Sequence, residues 1–199
     1  MTYFFGVVDT KYGPCDIGVD NTKGDSSMMS ELPRISAGGA ADVVGIGYQG
    51  FRSYLKRGLL GRVGMLPGFH RAGAHTSDDP TPRSGWMMFG FADLCLMRIA
   101  KLLMDNGFTF ESASSVVSNH KLWHRMAHDD EPVDRFLLIW PPYGDHIIFD
   151  PEDMQHFPAR IAEAQAQGVF TLLNLGDIQR YVLEAMATKS GAEAALATK

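Results

Sequence analysis

The sequence predicts an α+β fold: an N-terminal winged helix-turn-helix followed by a small α/β module of about three strands and two helices. Three observations carry this. Residues 36–57 hold two short helical periodicities joined by Gly45-Ile46-Gly47, helical spacing returns over 92–117, and the strand-like runs RFLLIW, HIIFD and GVFTLLNL all follow residue 134.

Ser36 is placed to cap a first helix whose small apolar face is Ala37, Ala40, Ala41, Val43 and Val44, with Gly45 as its stop. Gly47 then opens a second, in which Tyr48, Phe51, Tyr54 and Leu55 recur at helical spacing until Gly58. Gln49, Arg52, Ser53, Lys56 and Arg57 fall between those apolar positions. One side of this helix therefore packs, and the other presents hydrogen-bond donors.

Residues 61–85 are dense in Gly, Pro, Ser and Asp and read as a long loop insert. LLGRV (59–63) and GWMMF (85–89) flank it and can pair as the strands of a wing. The helical period returns from Ala92 with Leu94, Met97, Ile99, Ala100, Leu103 and Met104, and closes at Asn106-Gly107. Thr109 caps a further helix that turns Phe110, Ala113, Val116 and Val117 inward. Residues 119–134 read as a linker helix.

In the second half, Pro141, Pro142 and Gly144 separate the first two strands, and Pro151 opens an amphipathic helix through Gln167. Pro158 inside it demands a kink or a late start. After the third strand, Gly176-Asp177 reads as a turn, Asn174 or Asp177 as a cap, and Ile178 to Thr188 as the last helix. The expected organisation is a loose tail over 1–33, the winged helix-turn-helix over 34–118, the linker helix, a regulatory or dimerising module over 135–189, and a frayed tail over 190–199. Met28 and Met29 leave open that the first tail is a start-site extension.

Charge sharpens the reading. The formal net charge is -5, yet residues 34–62 carry Arg34, Arg52, Lys56, Arg57 and Arg62 against Asp42 alone. A local basic patch in an acidic chain points to a polyanion partner, although a solvated face is the plain alternative. Cys15 and Cys95 are too few for a disulfide framework or a thiolate zinc site, which fits a reducing compartment. No stretch of eighteen apolar residues exists and the apolar opening is too short for a signal peptide, so no membrane span and a cytoplasmic location are expected.

Two blocks in order carry a resemblance: Ala41, Gly45-Ile46, Arg52, Tyr54 and Gly58-Leu59-Leu60, then Trp86, Phe89, Asp93-Leu94, Met97, Leu103 and Gly107-Phe108-Thr109. Over residues 35–117 the chain resembles the MerR-like winged helix-turn-helix regulators of bacteria. The resemblance implies a transcriptional regulator that binds double-stranded DNA, with the second helix (48–57) in the major groove and the wing against the backbone. Gln49 and Arg52 become base-reading candidates, Lys56, Arg57 and Arg62 phosphate partners, with Tyr48, Ser53, Arg71 and Arg83 as further DNA-binding candidates. A nucleoid-associated location goes with DNA binding, and a homodimer is expected because a lone helix-turn-helix has little specificity. Family members continue into a long dimerising helix, whereas here the apolar pattern after Phe110 dissolves by Asp129-Asp130-Glu131-Pro132. The chain departs from the pattern at Gly50, Ser53 and Met87, and each departure removes a possible DNA contact.

His120, His124 and His128, spaced i, i+4, i+8, could hold zinc or copper beside Asp129, but no second helix offers a further ligand, so neither metal nor other cofactor is expected. Trp123 and Trp140 suit the core better than a ligand pocket. Asp145, His146, Asp150 and Asp177 follow strands without a nucleophile elbow, phosphate loop or metal-spaced pair, so no enzyme is expected. An unidentified small-molecule effector stays open as a partner. The alternatives to a regulator are an architectural or excisionase-like DNA binder, which bends DNA with weak sequence preference, and a protein or ligand interaction module whose helix-turn-helix no longer binds DNA.

Overall fold

The Ser36 hydroxyl accepts from the Gly39 amide at 3.5 Å and starts α1 (Ala37–Val44) where its sequence places it. Gly45 ends α1 in the left-handed region at φ 76°, and its amide returns to the Ala41 and Asp42 carbonyls. After Ile46 and Gly47 the chain enters α2 (Tyr48–Lys56). These belong to a computed structural model that describes residues 32–59, 88–141, 144–163 and 169–197. Residues 1–31 of the tail expected over 1–33, and the insert over 61–85, lie outside the described residues.

The wing reading changes in part. β2 (Met88–Phe89) pairs antiparallel with β1 (Ile35–Ser36), the segment just before α1. Leu59, expected to begin the other wing strand, is a buried turn residue whose amide bonds the Tyr54 carbonyl, and residues 60–63 lie outside the described set. Phe89 thereby meets Phe51 of α2 edge-on, 5.2 Å between centroids.

α3 (Phe91–Asp105) is the central helix, buried at Leu94, Cys95, Leu96, Met97, Ile99, Ala100 and Leu103. α4 (Phe110–Val117) is capped by Thr109 and α5 (His120–His128) by Asn119, whose oxygens accept from Ser112 N at 3.1 Å and Lys121 N at 2.8 Å.

The three expected strands form one antiparallel sheet in the order β4 (Asp145–Phe149), β3 (Phe136–Trp140), β5 (Thr171–Asn174). Leu137 pairs with Ile148 on one side and Leu173 on the other, and this face joins the helical core. On the opposite face Phe149 packs against Phe157, centroids 5.4 Å apart. The helix expected from Pro151 is 3-10 over Pro151–His156 and becomes α6 at Phe157–Glu163, so Pro158 marks a late start. Residues 164–168 lie outside the described set.

α7 (Leu175–Ala197) corrects the reading of the C-terminus at both ends. Asn174 Oδ1 accepts from the Gly176 and Asp177 amides at 2.9 and 3.3 Å, so Gly176-Asp177 is the first helical turn rather than a connection. A Cβ at Gly176 would stand 2.8 Å from the Val133 carbonyl oxygen, and glycine permits that approach. The helix continues through Ala197, where a frayed tail was expected.

One buried cluster runs through both halves: Ala40 and Val44 of α1, Leu94 and Leu103 of α3, Leu137 and Ile139 of β3, and Ile178, Val182 and Met186 of α7. A polar cluster ties the sheet to it. Arg135, its side chain 14% exposed, donates to Asp150 at 2.6 Å and pairs with Asp129, while Asp150 also accepts from Arg125 at 2.7 Å. Gln179, fully buried on α7, accepts from Val133 N at 3.2 Å and donates to Asp129 at 3.4 Å.

Candidate nucleic-acid interface

α2 separates its faces as its sequence requires. Phe51 is fully buried and Tyr54 and Leu55 pack against the core, with Tyr54 5.9 Å from Phe110. Tyr48, Gln49, Arg52, Ser53, Lys56 and Arg57 are all exposed. Gln49, Arg52, Ser53 and Lys56, at i, i+3, i+4 and i+7, border one shallow depression. Arg52 holds its guanidinium 5.8 Å from the Tyr48 ring, within cation-π range. An added Cβ at Gly50 would stand 3.0 Å from Ile46 Cγ2, so a larger residue there requires the Ile46 side chain to shift.

Arg57 does not join this group. It donates to Glu111 Oε1 at 3.1 Å and stacks 3.7 Å from the Phe110 centroid, both on α4. The side chain expected to meet phosphate is thus engaged within the chain. Arg62, Arg71 and Arg83 lie outside the described residues.

Two residues that sequence reasoning did not single out hold the turn between α1 and α2. Arg98 of α3 donates to the Val44 carbonyl at 2.8 Å, and its guanidinium lies 4.1 Å from the Tyr181 ring of α7. A Cβ at Gly45 would stand 3.0 Å from the same guanidinium. Lys189 of α7 also pairs with Asp42 of α1. No local pattern announces contacts made by residues so far apart in the chain.

The histidines of α5 stack rather than converge. His124 and His128 lie 4.1 Å apart at 5° between planes, and His120 is 6.3 Å from His124. Among the described residues no group of three or more His, Cys, Asp or Glu is arranged to hold a metal ion. Partial desolvation first, then the neighbouring His128, His120 and Arg125, hold the His124 pKa below the ordinary imidazole value, while Asp129 opposes them. His146 lies between the Gly144 carbonyl at 3.0 Å and Asn119 Nδ2 at 2.7 Å, which fits a neutral ring protonated at Nδ1. Asp150 and Asp177 are engaged by arginines, and Trp123 packs against the core.

No profile of a known protein family matches this chain, and no characterised protein matches it. None of the described helices is long and apolar enough to cross a membrane.

Proposed function

We propose that this protein is a cytoplasmic, homodimeric DNA-binding transcriptional regulator of the winged helix-turn-helix kind, in which α2 enters the major groove. The observation that carries the proposal is the α2 surface: Gln49, Arg52, Ser53 and Lys56 share one exposed face while Phe51 anchors the other. A major groove about 12 Å wide admits one helix, and exposed Gln and Arg can meet base edges bidentately. Gln49 and Arg52 read bases, Ser53 and Tyr48 support them, and Lys56 meets phosphate. Arg57 is withdrawn from the phosphate set by Glu111 and Phe110. Lys56 with Arg62 leaves two phosphate contacts per protomer, a salt slope of roughly -1.8.

The withdrawal of Arg57 favours one second reading, an interaction module in which the α2 face meets protein rather than DNA. Selection from a random-sequence duplex pool, followed by sequencing of the bound fraction, separates the two. Enrichment of a motif that Arg52→Ala relaxes at one position is the result expected of a regulator. Salt-sensitive binding without enrichment would replace it by an architectural role, and absence of binding at low ionic strength by the interaction module.

A further inference from the structure

A second cleft, sharing no lining residue with the α2 depression, lies between α5 and β4 and encloses about 710 Å³. That is the size of a small-molecule site. Its α5 wall carries His120, Lys121, His124 and Arg125, its β4 wall His146, Ile147 and Ile148, and among the described residues no carboxylate lines it. The Asn119–His146 hydrogen bond at 2.7 Å ties the two walls together.

The charges are held in different ways. Lys121 is exposed and has no ion-pair partner among the described residues. Arg125 is oriented by Asp150 at 2.7 Å, through a carboxylate oxygen that also accepts from Arg135 at 2.6 Å, and it borders the cleft beside Lys121. His120 and His124 stand beside these cations on α5, while His146 on the β4 wall is engaged by the Gly144 carbonyl and by Asn119. A phosphate monoester carries about -1.5 to -2 charges and three acceptor oxygens, which suits two cations one turn apart on α5, whereas a carboxylate brings a single charge and two oxygens. Ile147 and Ile148 supply an apolar surface beside the cations.

We propose that the α5–β4 cleft binds a small organic phosphate, with Lys121 and Arg125 holding the phosphate group and Ile147 and Ile148 against the organic part. The proposal goes beyond DNA recognition and assumes nothing about α2. Trp123 provides a reporter, its ring 6.1 Å from that of His120.

The test titrates the full chain with phenyl phosphate, inorganic phosphate and benzoate, read by tryptophan fluorescence and by calorimetry in the absence of DNA. Phenyl phosphate is expected to saturate, to bind roughly tenfold or more tightly than benzoate or inorganic phosphate, and to lose about tenfold in Lys121→Gln. Lys101→Gln, which alters a lysine paired with Asp105 outside the cleft, is expected to leave binding unchanged. Benzoate binding as well as phenyl phosphate would overturn the phosphate assignment. Inorganic phosphate binding equally well would overturn the organic part. Unchanged affinity in Lys121→Gln, or no saturable binding of any probe at millimolar concentration, would overturn the site.

Discussion

The guanidinium of Arg98 on α3 lies 4.1 Å from the centre of the Tyr181 ring on α7. Because the same guanidinium donates to the Val44 carbonyl at 2.8 Å, the C-terminal helix supports the end of α1 through one side chain. The carbonyls of a helix's last turn lack intrahelical partners, and a cation there both bonds them and meets the negative end of the helix. Tyr181→Ala and Arg98→Ala are each expected to lower unfolding free energy by about 1 kcal/mol, with a coupling of about 0.5–1 kcal/mol between them. Urea denaturation of the two single variants and the double variant measures it, and strict additivity would show that the stacking contributes nothing.

A buried carboxyl sets a pH dependence. Asp93 is 2% exposed, and its Oδ2 accepts from the Gly90 amide at 3.0 Å while Oδ1 has no partner among the described residues. Desolvation, opposed by the Gly90 bond and by Arg34, pushes its pKa up to about 6 from 3.8. The folded chain therefore retains a proton that the unfolded chain releases between those values. This group's contribution is most favourable below pH 3.8 and falls as pH rises to about 6. Asp93→Asn removes the charge while keeping an acceptor for Gly90, so it is expected to gain about 1–2 kcal/mol at pH 7.5 and nothing at pH 3.5. Parallel stability curves for the variant and wild type across that range would contradict the assignment.

Arg135 is the reverse case. Burial alone would raise the Asp150 pKa, yet hydrogen bonds from Arg135 and Arg125 hold it below the ordinary carboxylate value. Its contribution is complete above the unfolded pKa and is lost as pH falls through the lower folded value. Arg135→Met leaves Asp129 without this partner and Asp150 with Arg125 alone, and is expected to cost about 2–4 kcal/mol at neutral pH. Thermal unfolding reads the loss. A change under 0.5 kcal/mol would mean that the network is solvated.

The turn between β3 and β4 meets α4 closely. Gly144 has φ +81°, and a Cβ there would stand 2.7 Å from the Ser112 carbonyl oxygen. Gly144→Ala therefore combines backbone strain with a clash against a helix and is expected to cost about 2 kcal/mol or more in a denaturant titration. A neutral result would show that the turn can move away from α4.

What could be read from the sequence was local. Ser36, Gly45 and Thr109 announce helix ends because a cap satisfies backbone groups within one turn, and Tyr48 to Leu55 announce a packed face by period. The β1–β2 pair could not be read, since two residues give no alternation and Ile35 meets Phe89 across the whole helix pair and insert. Asn174 and Asp177 both suit the cap by residue type; the bonds that Asn174 accepts from the Gly176 and Asp177 amides decide for Asn174. Arg57 has the spacing of a phosphate contact, and its partners on α4, 53 and 54 positions later, become visible only in three dimensions. The α5–β4 cleft depends in the same way on an encounter between distant segments.

The most direct test of the α2 surface is the salt dependence of DNA affinity, measured on one duplex for wild type, Lys56→Ala and Arg57→Ala. Lys56 points outward beside Arg52, and Arg57 is bound to Glu111 and Phe110. The slope of log affinity against log salt is expected to fall in magnitude by roughly 0.9 for Lys56→Ala and to stay at the wild-type value for Arg57→Ala. Equal losses in the two variants, or a slope unaffected by Lys56→Ala, would contradict the placement of this face against DNA.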